Sequence, residues 1–532
     1  MPLADAPRPL LPLWAGVLTS VAGGLVLTTA FPALGWWPMA FPAVVLALVG
    51  LVGRRLWSSV LVGFAFGASF FFVNLFFTAR YLGPVPWAAL SMLEALITAA
   101  GAVPITLAYR WAPRLLRATS WLRVSARLIV LPLLVAGLWT LREQIVGSWP
   151  YGGFPWGRIG VTQVGSPLAH VVSWVGMSGL TFLMVLFCAA AIEYVRLGRF
   201  RAPLTALPAV VAGLLLFVVP QFPTTVVGTL RVGAAQGNGP AGYFDVRTAP
   251  NEVLAAQLEA TAPLIGQSMD LLLWPEGGVD SDPTTSRSTA AVLDGLADRI
   301  GAPLVVSAVT GRDGVYYNSS LLWEAGAGAV QTYDKRHPVP FGEYVPDRAF
   351  WEPFAPDLIG LIGREYTPGT AAPFFDVNGV GVGLAICFDV IYDDVIWDGA
   401  QDGAEIYMFQ TNNADFRGTD ENLQQLAFAR MRAIETGRSV VNLSTVGTSE
   451  VIAADGSTLD GIPADVAGHM LTDVPLHTGL TAAVVIGPVV KMVLGWGSIL
   501  ALCAVGVLVA VKGRPNAKTP VPEGADVSGD AG

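Results

Sequence analysis

The sequence predicts two unlike parts in one chain: a polytopic α-helical membrane domain of about eight transmembrane helices, and a polar α/β domain inserted between the seventh and the eighth. Three observations predict it. The 532 residues are 53% hydrophobic and only 13% charged, with a mean hydropathy of +0.56, which is the profile of a membrane protein. The polarity is uneven: residues 229–480 carry acidic residues, Asn and Gly/Pro turns at ordinary globular density, and a block of about 250 residues buries a core of its own. Lysine and arginine concentrate in alternate short connections between the apolar stretches.

The apolar stretches lie near 11–29, 37–53, 56–78, 86–109, 128–147, 169–195, 204–222 and 485–511, each close to the roughly 20 residues that cross hydrocarbon as a helix. The second is short and holds Pro38 and Pro42. Further spans follow the first, so it reads as an anchor and not as a cleaved signal. One set of loops holds Arg8; Arg54 and Arg55; Arg110, Arg114, Arg117, Arg123 and Arg127; Arg196, Arg199 and Arg201; and Lys512, Arg514 and Lys518. The opposite set holds only Arg80 and Arg158. Basic loops stay cytoplasmic, so both termini are expected inside and the polar domain outside. A miscounted span would break the alternation, and none does. The expected division is 1–228 for the first seven spans, 229–480 for the polar domain, 481–512 for the eighth span and 513–532 for a tail that reads as disordered. The net charge of −9 argues against nucleic acid. There is no internal repeat.

Within 229–480, strand-like runs at 230–235, 271–274, 304–309, 317–323, 380–386, 406–410 and 439–444 alternate with helical spacing at 252–265, 288–300 and 423–436. That order predicts a layered α/β domain with reactive side chains at strand ends.

Three strand ends carry them. The run 271–278, Leu-Leu-Leu-Trp-Pro-Glu-Gly-Gly, stops at Pro275 and presents Glu276 in a glycine-rich turn. A partly desolvated carboxylate there is a candidate base. The run 333–346, Tyr-Asp-Lys-Arg-His-Pro-Val-Pro-Phe-Gly-Glu-Tyr-Val-Pro, offers Lys335 as a fixed cation for an oxyanion and Glu343 as its companion. Of three cysteines, Cys188 and Cys503 fall in apolar stretches, where a thiol is usually a packing residue. Cys387 alone lies outside them, at the end of Gly-Val-Gly-Leu-Ala-Ile-Cys-Phe-Asp, 381–389. A single thiol in an exported domain excludes a disulfide framework and leaves a candidate nucleophile. His337, His469 and His477 share the domain, so spacing leaves a Cys387–His337 pair open.

Taken together, Glu276, Lys335 and Cys387 resemble the Glu-Lys-Cys triad of the carbon-nitrogen hydrolase (nitrilase) superfamily. A nitrilase-like domain between a seventh and an eighth span looks like the apolipoprotein N-acyltransferase family. Lys-Arg-His-Pro-Val-Pro-Phe-Gly-Glu-Tyr-Val-Pro (335–346), Asn-Asn-Ala-Asp-Phe (412–416) and Ala-Arg-Met-Arg-Ala-Ile-Glu-Thr-Gly-Arg (429–438) extend the likeness over nearly the whole chain. The resemblance implies an αββα sandwich, with Glu276 as general base, Lys335 as oxyanion stabiliser, Cys387 as acylated nucleophile and Glu343 as an accessory carboxylate. It implies a multi-pass protein of the bacterial plasma membrane that needs no cofactor or metal. Its partners would be a phospholipid acyl donor and a diacylglyceryl-apolipoprotein acceptor, and the protein would act as a monomer. Many family members read Tyr-Glu after the cysteine. This chain reads Phe388-Asp389, losing a hydroxyl and shortening a carboxylate by one methylene.

The outer loops are rich in aromatic residues, namely Trp36, Trp37, Tyr81, Trp87, Trp149, Tyr151, Phe154 and Trp156, as interfacial belts are. Arg142 and Glu143 fall near the outer end of the fifth stretch, placed to pair or to snorkel. A membrane-tethered nitrilase-type amidase would use the same three residues. It has no need of eight spans.

Overall fold

The computed structural model describes residues 8–115, 127–201 and 203–512. The expected tail and the basic residues Arg117, Arg123, Arg514 and Lys518 lie outside the described residues.

Apolar helices stand at all eight stretches. Seven precede the polar block: α1 Leu13–Thr28, α2 Ala40–Leu51, α3 Leu56–Asn74, α4 Pro84–Leu115, α5 Val130–Val146, α6 Val172–Arg196 and α7 Leu207–Leu216. Within the block lie α8 Glu252–Thr261, α9 Arg287–Ile300, α10 Asp393–Gln401 and α11 Glu421–Thr436, and α12 Ala482–Lys512 follows it. Among the described residues, Leu56–Asn74, Pro84–Leu115, Pro167–Arg196 and Ala482–Val511 are both long and apolar enough to cross a bilayer. The others are shorter for readable reasons. Pro38 sits in a 3-10 turn, Trp37–Met39, so α2 proper starts at Ala40. The stretch at 204–222 is α-helical over only the 10 residues of α7, about half the hydrocarbon thickness, and Pro220 and Pro223 follow its end.

Close helix packing rests on small residues. Gly63 and Gly67 sit one turn apart on α3, and a Cβ at either would lie 2.5 Å from Ala102 Cβ or 2.9 Å from Ala95 Cα of α4. Only glycine permits that approach, as in small-xxx-small membrane interfaces.

The polar block contains two six-stranded sheets. Its strands are β1 Thr225–Gln236, β2 Leu271–Leu273, β3 Leu304–Arg312, β4 Val315–Glu324, β5 Gly328–Asp334, β6 Phe374–Val377, β7 Val380–Ile386, β8 Ile406–Thr411, β9 Ser439–Ser444, β10 Ser449–Ile452, β11 Thr458–Ile462 and β12 Gly468–Thr478. The first sheet runs β12-β1-β2-β3-β4-β5 and the second β11-β10-β9-β8-β7-β6. β1, β2 and β3 pair in parallel, as do β7, β8 and β9, and the inner strands β2, β7 and β8 read as apolar runs because both of their faces are covered.

Alternation decides which face meets what. Val232, Leu273, Val382, Leu384, Ile386, Ile406 and Met408 share one core between the sheets. Leu272, Leu304 and Val306 face the other way, onto α8 and α9. On the far side, Ala385, Tyr407 and Phe409 pack on α10 and α11, and that layer is continuous with the apolar helices through Trp156, Phe388, Ile391 and Phe428. The architecture is therefore αββα with its second helical layer pressed onto the helical bundle.

Candidate active site

Cys387 directly follows β7 and opens a 3-10 turn, Cys387–Ile391, with φ +50°. A non-glycine residue held in that region costs of order 1–3 kcal/mol, so the surroundings must over-determine the turn. Two sets of contacts do. Asp389, fully buried, accepts hydrogen bonds from Tyr333 OH at 2.8 Å, His337 N at 2.8 Å, Arg336 N at 3.3 Å and Ile386 N at 3.3 Å. It thereby ties the cysteine turn to the loop bearing Lys335. Arg432 of α11, also fully buried, donates from Nε to Val390 O and from Nη2 to Ile391 O, both at 2.9 Å.

The departure at Phe388-Asp389 is thus accommodated. The Phe388 ring lies 5.5 Å from Phe154 and 5.3 Å from Tyr392 in apolar packing that asks for no hydroxyl, and the shorter carboxylate meets its four donors.

Glu276 follows β2 with its backbone tied to the second sheet. Gln410 Nε2 donates to Trp274 O, and Thr445 Oγ1 donates to Glu276 O, each at 2.7 Å. Its Oε1 accepts from Asn318 Nδ2 at 2.7 Å and from Lys335 Nζ at 3.3 Å. Lys335 continues β5 by donating its N-H to Asn318 O at 2.8 Å. It is 1% exposed, and its ammonium lies 2.9 Å from the Glu343 carboxylate. Glu343 Oε1 accepts from Asn318 Nδ2 at 3.1 Å and its Oε2 from Val339 N at 2.7 Å.

One ammonium and one amide therefore bind two carboxylates. Burial pushes the Glu276 carboxyl above its usual range, and the Glu343 charge adds to this while Lys335 opposes it. Burial works against the Lys335 charge, but Glu276 and Glu343 outweigh it and hold that pKa well above the ordinary value. The Cys387 thiol is pushed well up, first by burial and then by Glu276, with Lys335 pulling it back. The three strand ends of the sequence thus converge on a protonated thiol beside a poised carboxylate and a permanent cation.

His337 is engaged elsewhere: Nε2 lies 3.0 Å from Asp394 Oδ2 and the ring stacks at 3.8 Å on Tyr392. His477 meets Thr224 Oγ1 at 3.1 Å, and His469 lies in β12 opposite Ala235. The Cys387 sulfur instead accepts from Gln425 Nε2, at 3.4 Å. Gln425 belongs to a buried polar cluster with Asn413 and Glu421. Burial raises the Glu421 carboxyl to about 8, with Asn413 opposing. Sequence reasoning missed Asn318, Gln425 and Glu421. For Glu421 and Gln425 the available signal was two polar residues at i, i+4 spacing on one face of a helix.

A buried ion cluster anchors the site to the apolar helices. Asp393, at the start of α10, takes Arg158 Nη1 at 2.6 Å, Arg432 Nη1 at 3.0 Å and Lys491 Nζ of α12 at 3.1 Å. Burial alone would raise its pKa, but these three cations hold it well below the usual carboxylate range.

Arg142 and Glu143 are both buried, 3.5 Å apart, so they do not snorkel. Glu143 accepts from Trp139 Nε1, Ile159 N and Thr181 Oγ1. Of the loop aromatics expected on the outer side, Trp36 and Trp149 are exposed, whereas Trp156 is buried against Phe77, Phe154 and Phe428. Tyr81 OH donates to Gly342 O at 3.2 Å, next to Glu343.

An αββα sandwich presenting glutamate, lysine and cysteine from three strand ends defines a carbon-nitrogen hydrolase, and residues 231–481 match that family. Residues 23–190 match the apolipoprotein N-acyltransferase N-terminal domain. The apolipoprotein N-acyltransferase of Mycolicibacterium smegmatis is 32% identical over 517 residues, covering 90% of this chain and 83% of that protein. Those of Pseudomonas aeruginosa and Vibrio vulnificus are 29% and 27% identical, covering 88% and 86% of this chain and 92% and 88% of theirs. A solved carbon-nitrogen hydrolase superfamily protein of Xanthomonas campestris aligns at 19% identity and TM-score 0.35, over 50% of this chain and 97% of that one. The chain belongs to the apolipoprotein N-acyltransferase family.

Proposed function

We propose that the protein transfers a fatty acyl chain from a membrane phospholipid to the α-amino group of a diacylglyceryl-cysteine at the N-terminus of a lipoprotein, by way of a thioester on Cys387. The observation that carries this reading is the Glu276–Lys335–Glu343 cluster beside a cysteine held in a left-handed turn. Cys387 gives its proton to Glu276 as sulfur attacks the ester carbonyl. The Lys335 ammonium faces the oxyanion that forms, a role typically worth a few kcal/mol. The lysophospholipid leaves as an alcohol, taking the proton from Glu276. The lipoprotein amine then attacks the thioester, Glu276 accepts its proton, and the thiol is restored as the amide forms. The raised Glu276 pKa suits both proton transfers, and Glu343 keeps Lys335 in place. Two products leaving in turn make the kinetics ping-pong.

The same reading sets the protein in the plasma membrane with eight spans, the catalytic domain at 229–480 outside and both termini inside. Its support is the distribution of lysine and arginine. Acting as a monomer, the chain would take both lipids at the outer surface, where Trp36 and Trp149 are exposed.

Incubation with labelled phospholipid should trap a hydroxylamine-sensitive acyl adduct on Cys387, and Cys387→Ala should carry none. Equal label on that variant refutes the mechanism. Turnover of a soluble amide without phospholipid would turn the reading to an amidase.

A further inference from the structure

The polar cluster beside Cys387 has a direction built into it. Gly447 N donates to Ser444 Oγ at 2.8 Å, so that hydroxyl is an acceptor there and its own proton goes to Asn413 Oδ1, at 2.6 Å. With its oxygen so occupied, Asn413 turns its NH2 toward Glu421 Oε2 and Gln425 Oε1, each at 2.8 Å. Gln425, its carbonyl engaged, is left with its NH2 facing Cys387 Sγ at 3.4 Å. Reversing Asn413 alone would set oxygen against oxygen at Gln425, and reversing Gln425 alone would set nitrogen against nitrogen at Asn413. A side chain at 447 would break the first link, because a Cβ there falls 2.3 Å from Asn413 Oδ1. Every member of the chain is buried: Ser444, Asn413, Glu421 and Gln425 are at most 4% exposed. This is a costly arrangement to keep unless each member is satisfied.

We propose that Gln425 is a further catalytic residue, whose N-H donates to the Cys387 sulfur and favours the thiolate, and that Gly447, Ser444 and Asn413 are positioning residues that fix which end of the Gln425 amide meets the sulfur. The need for such a donor follows from the charges around the thiol. Burial first, then Glu276 and Glu343, disfavour a negative charge there, and Lys335 offsets them. A neutral donor lowers the cost of the thiolate without drawing Lys335 away from the oxyanion. The Glu421 carboxyl, held mostly protonated at neutral pH, accepts from Asn413 while adding little charge beside the sulfur.

This inference rests on the acyl-enzyme reading, and its test does not need acyl transfer. The full-length protein in detergent micelles would be alkylated with iodoacetamide across the neutral and alkaline range, with modification of Cys387 followed on its own peptide by mass spectrometry. Gln425→Leu should move the midpoint of the profile up by about one pH unit, the size of one lost hydrogen bond, and Gln425→Met should do the same should the leucine variant not elute as a single species. Gln425→His, which restores a nitrogen donor, should bring it back toward wild type. Asn413→Leu frees the amide to turn and should shift the midpoint in the same direction. A wild-type profile for Gln425→Leu and Gln425→Met overturns the donor role, and a wild-type profile for Asn413→Leu overturns the relay. Wild-type protein that alkylates normally but takes no lipid label would instead count against the acyl-enzyme.

Discussion

Asp393 and Asp394 are adjacent acidic residues with opposite expected importance. Asp393 is 4% exposed and holds three cations, two of them on the buried Arg158 and Arg432. Asp394 has a half-exposed side chain and meets His337 and Arg336 at the surface. Asp393→Asn removes the charge and keeps the shape, leaving the buried Arg158 without its carboxylate partner and Arg432 with Glu435 alone, at 2.5 Å. Breaking a buried pair in this way costs about 3–5 kcal/mol, and Asp394→Asn should cost at most about 1 kcal/mol. At about 2–4 °C per kcal/mol for a domain of this size, Asp393→Asn should lower the melting temperature by roughly 6–20 °C. Tryptophan fluorescence of the detergent-solubilised protein during heating reads both variants.

The pH dependence has a definite sign. The folded pKa of Asp393 lies below its unfolded value, so its stabilisation is complete above pH about 4 and is lost as pH falls further, through the folded pKa. The gap between wild type and Asp393→Asn should therefore narrow on acidification. Two variants melting within a degree or two of each other at neutral pH would refute the claim that this cluster fastens the cysteine turn to the helices.

Other consequences are as direct. Lys335→Met leaves the buried Glu276 and the part-buried Glu343 without their cation and, on the proposed mechanism, removes the oxyanion partner, so release of lysophospholipid in the first turnover should fall by about 100-fold or more; a rate within twofold of wild type would exclude that role. Gly67→Leu drives a side chain into Ala95 Cα and Thr98 and should destabilise by about 1–3 kcal/mol or more, read as lower yield and melting temperature; unchanged behaviour would mean that α3 and α4 separate freely.

Much of this was legible because buried parallel strands write themselves as apolar runs. β2, β7, β8 and β9 each stood out, and with them Glu276 and Cys387 at their ends. Lys335 and Glu343 were visible as charges set among prolines. What escaped notice depends on pairing between distant segments. β11 and β12 are half-exposed antiparallel strands with mixed composition, and β10 is only 4 residues long. α10, Asp393–Gln401, has only 9 residues and was not among the expected helical stretches. Asn318 and Gln425 carry no charge, and an amide declares its partner only when the chain is folded. Arg142 and Glu143 were placed near a membrane surface by counting residues, whereas tertiary packing buries both.

The pairing of β1 with β12 has a consequence for how the protein is made. These strands, from Thr225↔Thr478 to Gln236↔Gly468, are the first and last of the sandwich, and about 250 residues separate them, a slow closure for any chain. A ribosome working from the N-terminus delivers β1 long before its neighbour, and one side of that strand stays open to other chains in the interval. Sheet completion waits until residue 478 has emerged, and α12 begins only at Ala482. Closing the enzyme and delivering its last apolar helix are thus consecutive acts of synthesis, and a chain cut short before 468 would carry a nearly whole catalytic centre on a sheet with an unguarded edge.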